Sequence, residues 1–564
     1  MTTYFAELVK LCEKLEKTRK RLLMVDLVSE FLLELDEDEV EPATSMILGR
    51  ALPKWDQKTL DVSWATLRET LGRITGADWK TFLTTFNKTG DIGSTARALL
   101  EKRKRDKQLK LFKNKTLSTT EVRQTFKTLS EVTGGGSREK KRRIVEALLS
   151  SASPLEAKYL IRILVGEMRT GFHEGLMEQA VSKAFQIPLK TVQEAGMIIG
   201  DIAEVASLAK TGGVESLLKV KFKVFRPVNL MLAQTSVDVG EALEEHGGKT
   251  AFEYKLDGAR VQIHKRKGEV KVFSRRLTDV TLSLPEIVDL VRKNLEVEEA
   301  ILEGEVIAVD NRGRPIPFQN LMRRFKRIHQ IEEMTKKIPV KLYLFDVLYL
   351  NEKSLISVPY MERRKILCET VGKIPVTKQI ITDQMEKAKD FLEKSIAAGH
   401  EGLVAKNVNS AYSPGKRGKQ WLKIKTILEP LDLVIVAAEY GHGRRYKWLS
   451  DYYLAAQDIE TGDLLIIGKT FKGLKDEEII EMTKQLQRLR TAEEGRKVIV
   501  VPKIVVEVLY NEIQKSSKYP CGMALRFARI NRLRPDKTSR EADTIQKVRR
   551  IFNNQFQKKS KYKT

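Results

Sequence analysis

The sequence is poor in cysteine, with three in 564 residues. Cys12, Cys368 and Cys521 lie far apart and form no C-x-x-C pair, which argues against a disulfide framework and against a cysteine-ligated zinc. The six histidines are equally scattered, so any catalytic metal is expected to be a hard ion, Mg²⁺ or Mn²⁺, held by carboxylates and phosphate oxygens. No apolar run approaches the ~20 residues that cross a bilayer. The start, MTTYFAELVKLCEKLEK, mixes charge into its apolar positions and has no signal-peptide core. An intracellular, cytoplasmic protein is therefore expected. The phosphate-binding pattern G-x-x-x-x-G-K-[ST] is missing, which disfavours a Walker-type ATPase or helicase. Internal repeats and low-complexity linkers are missing as well.

What is abundant is positive charge: 101 lysines and arginines against 75 acids, a formal net charge of +26. Such a surplus attracts polyanions, nucleic acid first and an anionic membrane surface second. A lysine-rich surface kept for solubility or heat tolerance is the plainer alternative. The length exceeds what one hydrophobic core supports, and ~100 to 200 residues per domain implies several units.

From the start to about residue 220 the pattern is helical. SPLEAKYLIRILVGEM offers Ser153 as an N-cap, Pro154 at the first helical position and Glu156 to complete a capping box. Two glycine-containing basic breaks, 133–143 and 166–175, suit phosphate contacts or are ordinary turns between helices. After VFRPVNLML the period shortens. RVQIHKRKGEVKVFSRR reads as a hairpin with Val261 and Ile263 facing Val270 and Val272 across a Lys267-Gly268 turn. Strands AILEGEVIAVD and KLYLFDVLYL follow, with a helix over 382–398, so the middle unit is α+β. Pro430 marks a second boundary, and the strand-rich remainder is enough for a small barrel. The basic end, QKVRRIFNNQFQKKSKYKT, is a nucleic-acid contact or a solvated tail.

EYKLDGAR, residues 253–260, carries the chemistry. Lysine is a nucleophile only when neutral, which requires burial or nearby cations. Lys255 has Arg260, Arg275, Lys423 and Lys425 as candidate neighbours, while Gly258 would let a phosphate approach the backbone. Glu253 lies on the same strand face and could accept from a ligand's amino group. Taken alone, K-x-D-G occurs often by chance and more often describes a salt-bridged strand end.

The companions, in order, are FSRR (273–276), EGEVIAVD (303–310), LFDVLY (344–349), EGLVAK (401–406), WLKIK (421–425) and RPDK (534–537). This series resembles the motif set of the covalent nucleotidyltransferases, and its order is similar to that of the ATP-dependent DNA ligases of archaea and of eukaryotic replication. RTGFHEGLMEQA in the helical part resembles their DNA-binding domain, so the likeness spans essentially the whole chain. It implies an all-α DNA-binding domain over 1–220, an α+β adenylation domain over 221–427 and a C-terminal β-barrel OB-fold domain over 428–564. Lys255 would attack the α-phosphate of ATP and form lysyl-AMP. Glu253 would read the adenine amine and Phe345 would stack on the ring, although a core aromatic has the same signature. Glu305 would contact the ribose or the metal, and Glu401 would support Mg²⁺.

Arg260 and Arg275 would bind ribose and phosphates, then the 5′-phosphate of a nick. Lys423 and Lys425 would steady the α-phosphate, with Arg417 reaching the nucleotide from the preceding loop. Arg534 would orient the departing pyrophosphate; Pro535 replaces an acid often found there, which departs from the family's loop. The implied partner is nicked double-stranded DNA, met in replication and repair, and the implied state is a monomer. Gln108, Leu111 and Phe112 resemble a sliding-clamp-binding peptide, or else anchor a loop. An RNA ligase, a capping guanylyltransferase and a non-catalytic nucleic-acid-binding protein are the competing readings, and an NAD-dependent ligase is disfavoured for want of a four-cysteine zinc module.

Overall fold

The computed structural model describes residues 4–105, 116–316, 318–325, 331–415, 417–425, 429–442 and 445–557. The chain divides into two compact units, residues 1–385 with 404–423, and residues 386–403 with 424–564.

The first unit begins with twelve helices, among the described residues, between Phe5 and Leu218. Local signals set their ends. Ser153 caps the helix Pro154–Val165, its hydroxyl accepting from the Glu156 amide while Glu156 reaches back to the Ser153 amide, and Gly166 closes it in the left-handed conformation. The same helix carries buried charge into the core. Arg162 bridges Glu16 at 2.9 Å and Asp91 at 3.1 Å, and Lys158 meets Glu16 at 2.7 Å. Such pairs hold only because each charge is matched inside the helical stack. The basic break at 133–143 opens the helix Ser137–Ser151, and the one at 166–175 leads into the helix Glu174–Ala184.

Two five-stranded sheets follow. One has the order β4 (Glu269–Ser274), β3 (Ala259–Arg266), β5 (Glu299–Ala308), β6 (Val340–Leu350), β7 (Lys353–Ser354), all antiparallel. The other has the order β1 (Leu232–Thr235), β10 (Arg417–Lys425), β9 (Gly402–Asn407), β2 (Thr250–Lys255), β8 (Gln379–Thr382). The expected hairpin forms between β3 and β4, with Lys267 at φ 52° in the turn. Ile263 faces Val272 as expected, whereas Val270 lies opposite Lys265 and Val261 opposite Ser274. All four apolar side chains still reach one core, because alternation fixes the face even where the exact partner differs.

Gly258 is required by the packing of the sheets. A Cβ there would lie 2.4 Å from Val306 O and 2.9 Å from Glu305 Cγ, so the glycine lets the chain after β2 pass against β5.

The other face of β3 seats the segment that joins helices to sheets. The Gln262 amide pairs with both backbone groups of Val228, accepting at 2.7 Å and donating at 3.2 Å. His264 Nδ1 accepts from the Phe225 amide at 3.0 Å, and Nε2 faces Gln262 Oε1 at 2.9 Å. This imidazole is fully buried, and burial lowers its pKa from 6.5 to about 3. The unfolded chain therefore takes a proton below pH 6.5 that the folded one refuses. Stability contributed by His264 is complete above that pH and is lost as the pH falls toward 3, at up to ~1.4 kcal/mol per pH unit. Unfolding measured from pH 7 to 4 should show this loss in the native protein and a shallower fall in His264→Gln; parallel curves would refute it.

The second unit centres on β11 (Leu431–Tyr440), which pairs with β12 (Leu449–Gln457), β15 (Lys497–Val500) and β16 (Val505–Leu509). Strands β13 (Leu464–Thr470), β14 (Arg490–Glu494) and β19 (Arg529–Leu533) extend it to seven, and β17 (Glu512–Lys515) and β18 (Met523–Arg526) form a separate ribbon. Among the described residues no strand pairing closes this sheet into a barrel. Ile545 and Val548 of the helix Ile545–Gln557 bury into the same core, so the first part of the basic end is anchored. The helix Met385–Ala397 matches the helical segment read from the sequence.

Candidate active site

Strand β2 delivers two of the expected residues. Glu253 is buried on it, and Lys255 lies half-buried at its end, two residues along. The β2–β8 register puts Gln379 directly across from Glu253. The Glu253 carboxylate is surrounded by donors. Oε1 accepts from the Tyr360 hydroxyl, from Arg364 Nη1 at 3.3 Å and from Gln379 Nε2 at 3.3 Å, and Oε2 pairs with Lys406 Nζ at 2.7 Å.

Lys406 is a buried lysine held in an aromatic cage. Its ammonium lies 4.4 Å from the Trp421 ring centroid and 4.7 Å from those of Phe345 and Tyr360. Burial pushes its pKa down, and Glu253 opposes that shift. Phe345 owes its place to an irregularity in the sheet. Leu344 pairs with Gly304 and Asp346 with Glu303, so Phe345 is an extra residue on β6 without an opposite number. A bulge of this kind re-aims a side chain. Here it lets Phe345 join the cluster containing Trp421 and Tyr412 while Leu344 and Val347 pack on the other core.

Arg260, on β3, leans over the same rings, 5.3 Å from Phe345 and 5.5 Å from Trp421. Its guanidinium donates to Glu303 Oε2 and to Met231 O, both at 2.7 Å. Tyr412 donates to the other Glu303 oxygen at 2.8 Å. Two buried donors beside these rings, Arg260 Nε and Trp421 Nε1, have no acceptor among the described residues. Burial, then the neighbouring Glu303, raises the Tyr412 pKa; burial, then Glu253, does the same for Tyr360, so both phenols stay protonated and can donate.

Glu305, half-exposed, is the direct β5 partner of Arg260 on β3. Lys423, half-buried, is two residues past Trp421 on β10 and pairs with Thr235. Arg275 lies on an exposed turn after β4, and Arg417 is exposed at the start of β10. The second unit carries the others. Lys425 Nζ is 2.5 Å from Glu401, and Gly402 beside it is required, since at φ 143° a Cβ would meet Ile424 O at 2.2 Å. Arg534 is bound to both oxygens of Asp432, at 3.0 and 2.9 Å, and to Asp536 at 2.8 Å. Gln108, Leu111 and Phe112 lie outside the described residues.

The structure thus gathers Glu253, Arg260 and Phe345 around one set of rings. It adds residues to which the sequence reading gave no role: Glu303, Tyr360, Arg364, Gln379, Lys406, Tyr412 and Trp421. Among the described residues no group of three or more His, Cys, Asp or Glu side chains is placed to hold a metal.

Comparison with known proteins decides the family. Residues 230–425 match the model of the ATP dependent DNA ligase domain, residues 4–182 that of the DNA ligase N terminus and residues 445–537 that of the ATP dependent DNA ligase C terminal region. A DNA ligase of Thermococcus fumicolans is 42% identical over 560 residues, covering 99% of this chain and 100% of that protein. The chain belongs to the ATP-dependent DNA ligases. DNA ligase 1 of Korarchaeum cryptofilum is similar at 44% identity over 557 residues, 98% of this chain and 99% of that one. A solved structure described as Pmar-Lig_PreS3 shares the fold, with a TM-score of 0.57 at 18% identity over 93% of this chain and 99% of its own.

Membership makes the protein a DNA-joining enzyme that uses ATP. The helical region, the paired sheets and the strand-rich end are thereby those of a ligase. Among the described residues no helix is long and apolar enough to cross a membrane.

Proposed function

We propose that this ligase seals nicks in duplex DNA by three nucleotidyl transfers that begin at Lys255. The observation that carries the reading is the arrangement on β2, where a half-buried lysine stands two residues from a buried glutamate whose carboxylate is fixed by four side-chain donors. In the first transfer Lys255 Nζ forms a bond to the α-phosphorus of ATP as the bond to pyrophosphate breaks. In the second, the 5′-phosphate oxygen of the nick displaces Lys255 and takes the AMP. In the third, the 3′-hydroxyl attacks that 5′-phosphate, loses its proton and expels AMP.

The remaining residues take roles by position. Glu253 accepts from the adenine amine and Phe345 supplies a ring face. Arg260 and Arg275 serve the ribose and phosphates, while Lys423, Lys425 and Arg417 offset phosphate charge. Arg534 orients pyrophosphate by exchanging its carboxylate partners for phosphate oxygens.

A resident cage of protein carboxylates is not what these residues offer. Glu305 and Glu401 are each the hard-oxygen kind of ligand that a Mg²⁺ or Mn²⁺ ion takes, most of the ion's other ligands then being phosphate oxygens and water. Such an ion would offset charge developing on the transferring phosphate.

The reading extends to three domains, 1–220, 221–427 and 428–564, acting as a monomer in replication and repair. A sliding clamp would engage Gln108, Leu111 and Phe112. Exposed aromatics beside cations on the second unit suit contact with nucleic acid. Phe471 and Phe527 flank Lys472 at 5.5 and 5.7 Å, and Phe527 holds φ 56° beside Arg526.

The test is incubation with α-phosphate-labelled ATP or GTP and Mg²⁺, denaturing electrophoresis, then a chase with nicked duplex. Label from ATP that is discharged as the nick closes supports the proposal. Label from GTP points to capping chemistry, and label discharged only by nicked RNA points to an RNA ligase. With +26 net charge, affinity for nicked DNA should fall at least ~10³-fold between about 50 and 200 mM salt; a flat dependence measured by anisotropy would contradict a phosphate-tracking surface.

A further inference from the structure

The donors around Glu253 are unevenly shared between its two oxygens. Among the described residues Oε1 receives three, from Tyr360, Arg364 and Gln379, whereas Oε2 receives one, from Lys406. Each carboxylate oxygen offers about two lone-pair sites, so Oε1 is more than filled and the acceptor position left for a ligand is on Oε2. Gln379 has a second task. Its amide Nε2 donates to the Tyr360 hydroxyl oxygen at 2.6 Å, which fills the acceptor side of the phenol and turns its single proton toward Glu253. The donors are themselves secured. The Tyr360 amide donates to Ser410 O at 2.9 Å, and Arg364 is tied to Thr377 through its hydroxyl at 3.1 Å and its carbonyl at 2.5 Å.

We propose that Tyr360 and Gln379 are positioning residues that set the choice of purine, by locking Glu253 as an acceptor that takes the 6-amino group of adenine and rejects the 6-oxo group of guanine. This rests on the reading that Glu253 meets the base. In one pose of the nucleotide the same carboxylate oxygen faces a donor in ATP and an acceptor in GTP, and an acceptor facing an acceptor in a dry site is heavily disfavoured. Rejection depends on the carboxylate staying where it is. Released from Tyr360, it turns on its side chain and can accept instead from the ring N–H of guanine.

The experiment measures rates of Lys255 self-adenylylation and guanylylation against nucleotide concentration, in the absence of DNA, for the full chain. Four proteins are compared: the native enzyme, Tyr360→Phe, Gln379→Met and Glu253→Gln. Tyr360→Phe keeps the buried ring and removes only the hydroxyl. Its KM for ATP is expected to rise about tenfold and the ATP to GTP preference to fall by a similar factor, while the rate at saturating ATP stays within about twofold. Gln379→Met, on the half-exposed side of β8, should move both quantities in the same direction and carries the test if Tyr360→Phe does not fold.

Glu253→Gln separates the two ways of failing. Altered purine preference in Glu253→Gln, with native preference in both Tyr360→Phe and Gln379→Met, would overturn the positioning role and leave the base contact standing. Unaltered preference in Glu253→Gln would remove the base contact and this inference with it. A Tyr360→Phe enzyme slowed at saturating ATP with an unchanged KM would also overturn the inference, since a purely structural role predicts that pattern.

Discussion

Lys255→Ala is expected to seal nicks at least ~10⁴-fold more slowly than the native enzyme, because in the proposed mechanism the first covalent adduct forms on Lys255 and without it the steps that follow have nothing to transfer. The loss should be chemical. Lys255 is half-buried at the end of β2, so its truncation costs little stability and the affinity for nicked DNA should stay within a few-fold of native. Lys255→Arg should fail equally, since a guanidinium stays protonated and is no nucleophile. A nick supplied already carrying AMP on its 5′-phosphate bypasses the lysine, and the alanine variant should seal it at a measurable rate. Gel assays on both substrates give the answer. Equal loss on both would mean that Lys255 acts after activation, and equal retention would mean that it is not the nucleophile.

Glu303→Gln is expected to destabilise the first unit by about 3 to 5 kcal/mol. Glu303 is fully buried and is the charge partner of Arg260 at 2.7 Å. The amide removes the hydrogen-bonded countercharge of Arg260, and it turns a donor toward either Arg260 or the Tyr412 hydroxyl. Arg260 also lies over Phe345 and Trp421, so ATP binding should weaken together with stability. Replacing both partners by apolar residues, Arg260→Met with Glu303→Leu, should restore much of the stability and none of the self-adenylylation. Denaturant unfolding read from a probe in the first unit, with nucleotide titration, checks both. A Glu303→Gln protein as stable as native would show that the pair is not held dry.

How far these features were legible depends on where their causes lie. The cap at Ser153 and the hairpin turn at Lys267 are written in a few adjacent residues, and both were readable. The choice between Glu303 and Glu305 was not. Both stand two apart on one strand, and Glu303 is the buried one because Tyr412, over a hundred residues later, covers it. Lys406 was hidden for the same reason. A lysine closing a strand reads as solvated, and only the assembly of Phe345, Tyr360 and Trp421 makes a place for its charge. Gly258 was noticed, but the sequence could not show that its missing side chain makes room for β5. The strand-rich end was legible as alternation and turns, while the branching of its sheet at β11 depends on long-range pairing that no local pattern encodes.

The most direct test of the central claim is to locate the adenylyl group. The enzyme would be incubated with ATP and Mg²⁺ without DNA, digested, and its peptides mapped by mass spectrometry before and after a chase with nicked duplex. One AMP on the Lys255 side chain, in an acid-labile linkage that disappears as the nick closes, is the predicted result. An adduct on another residue, or a Lys255 adduct that survives complete sealing, would contradict the account.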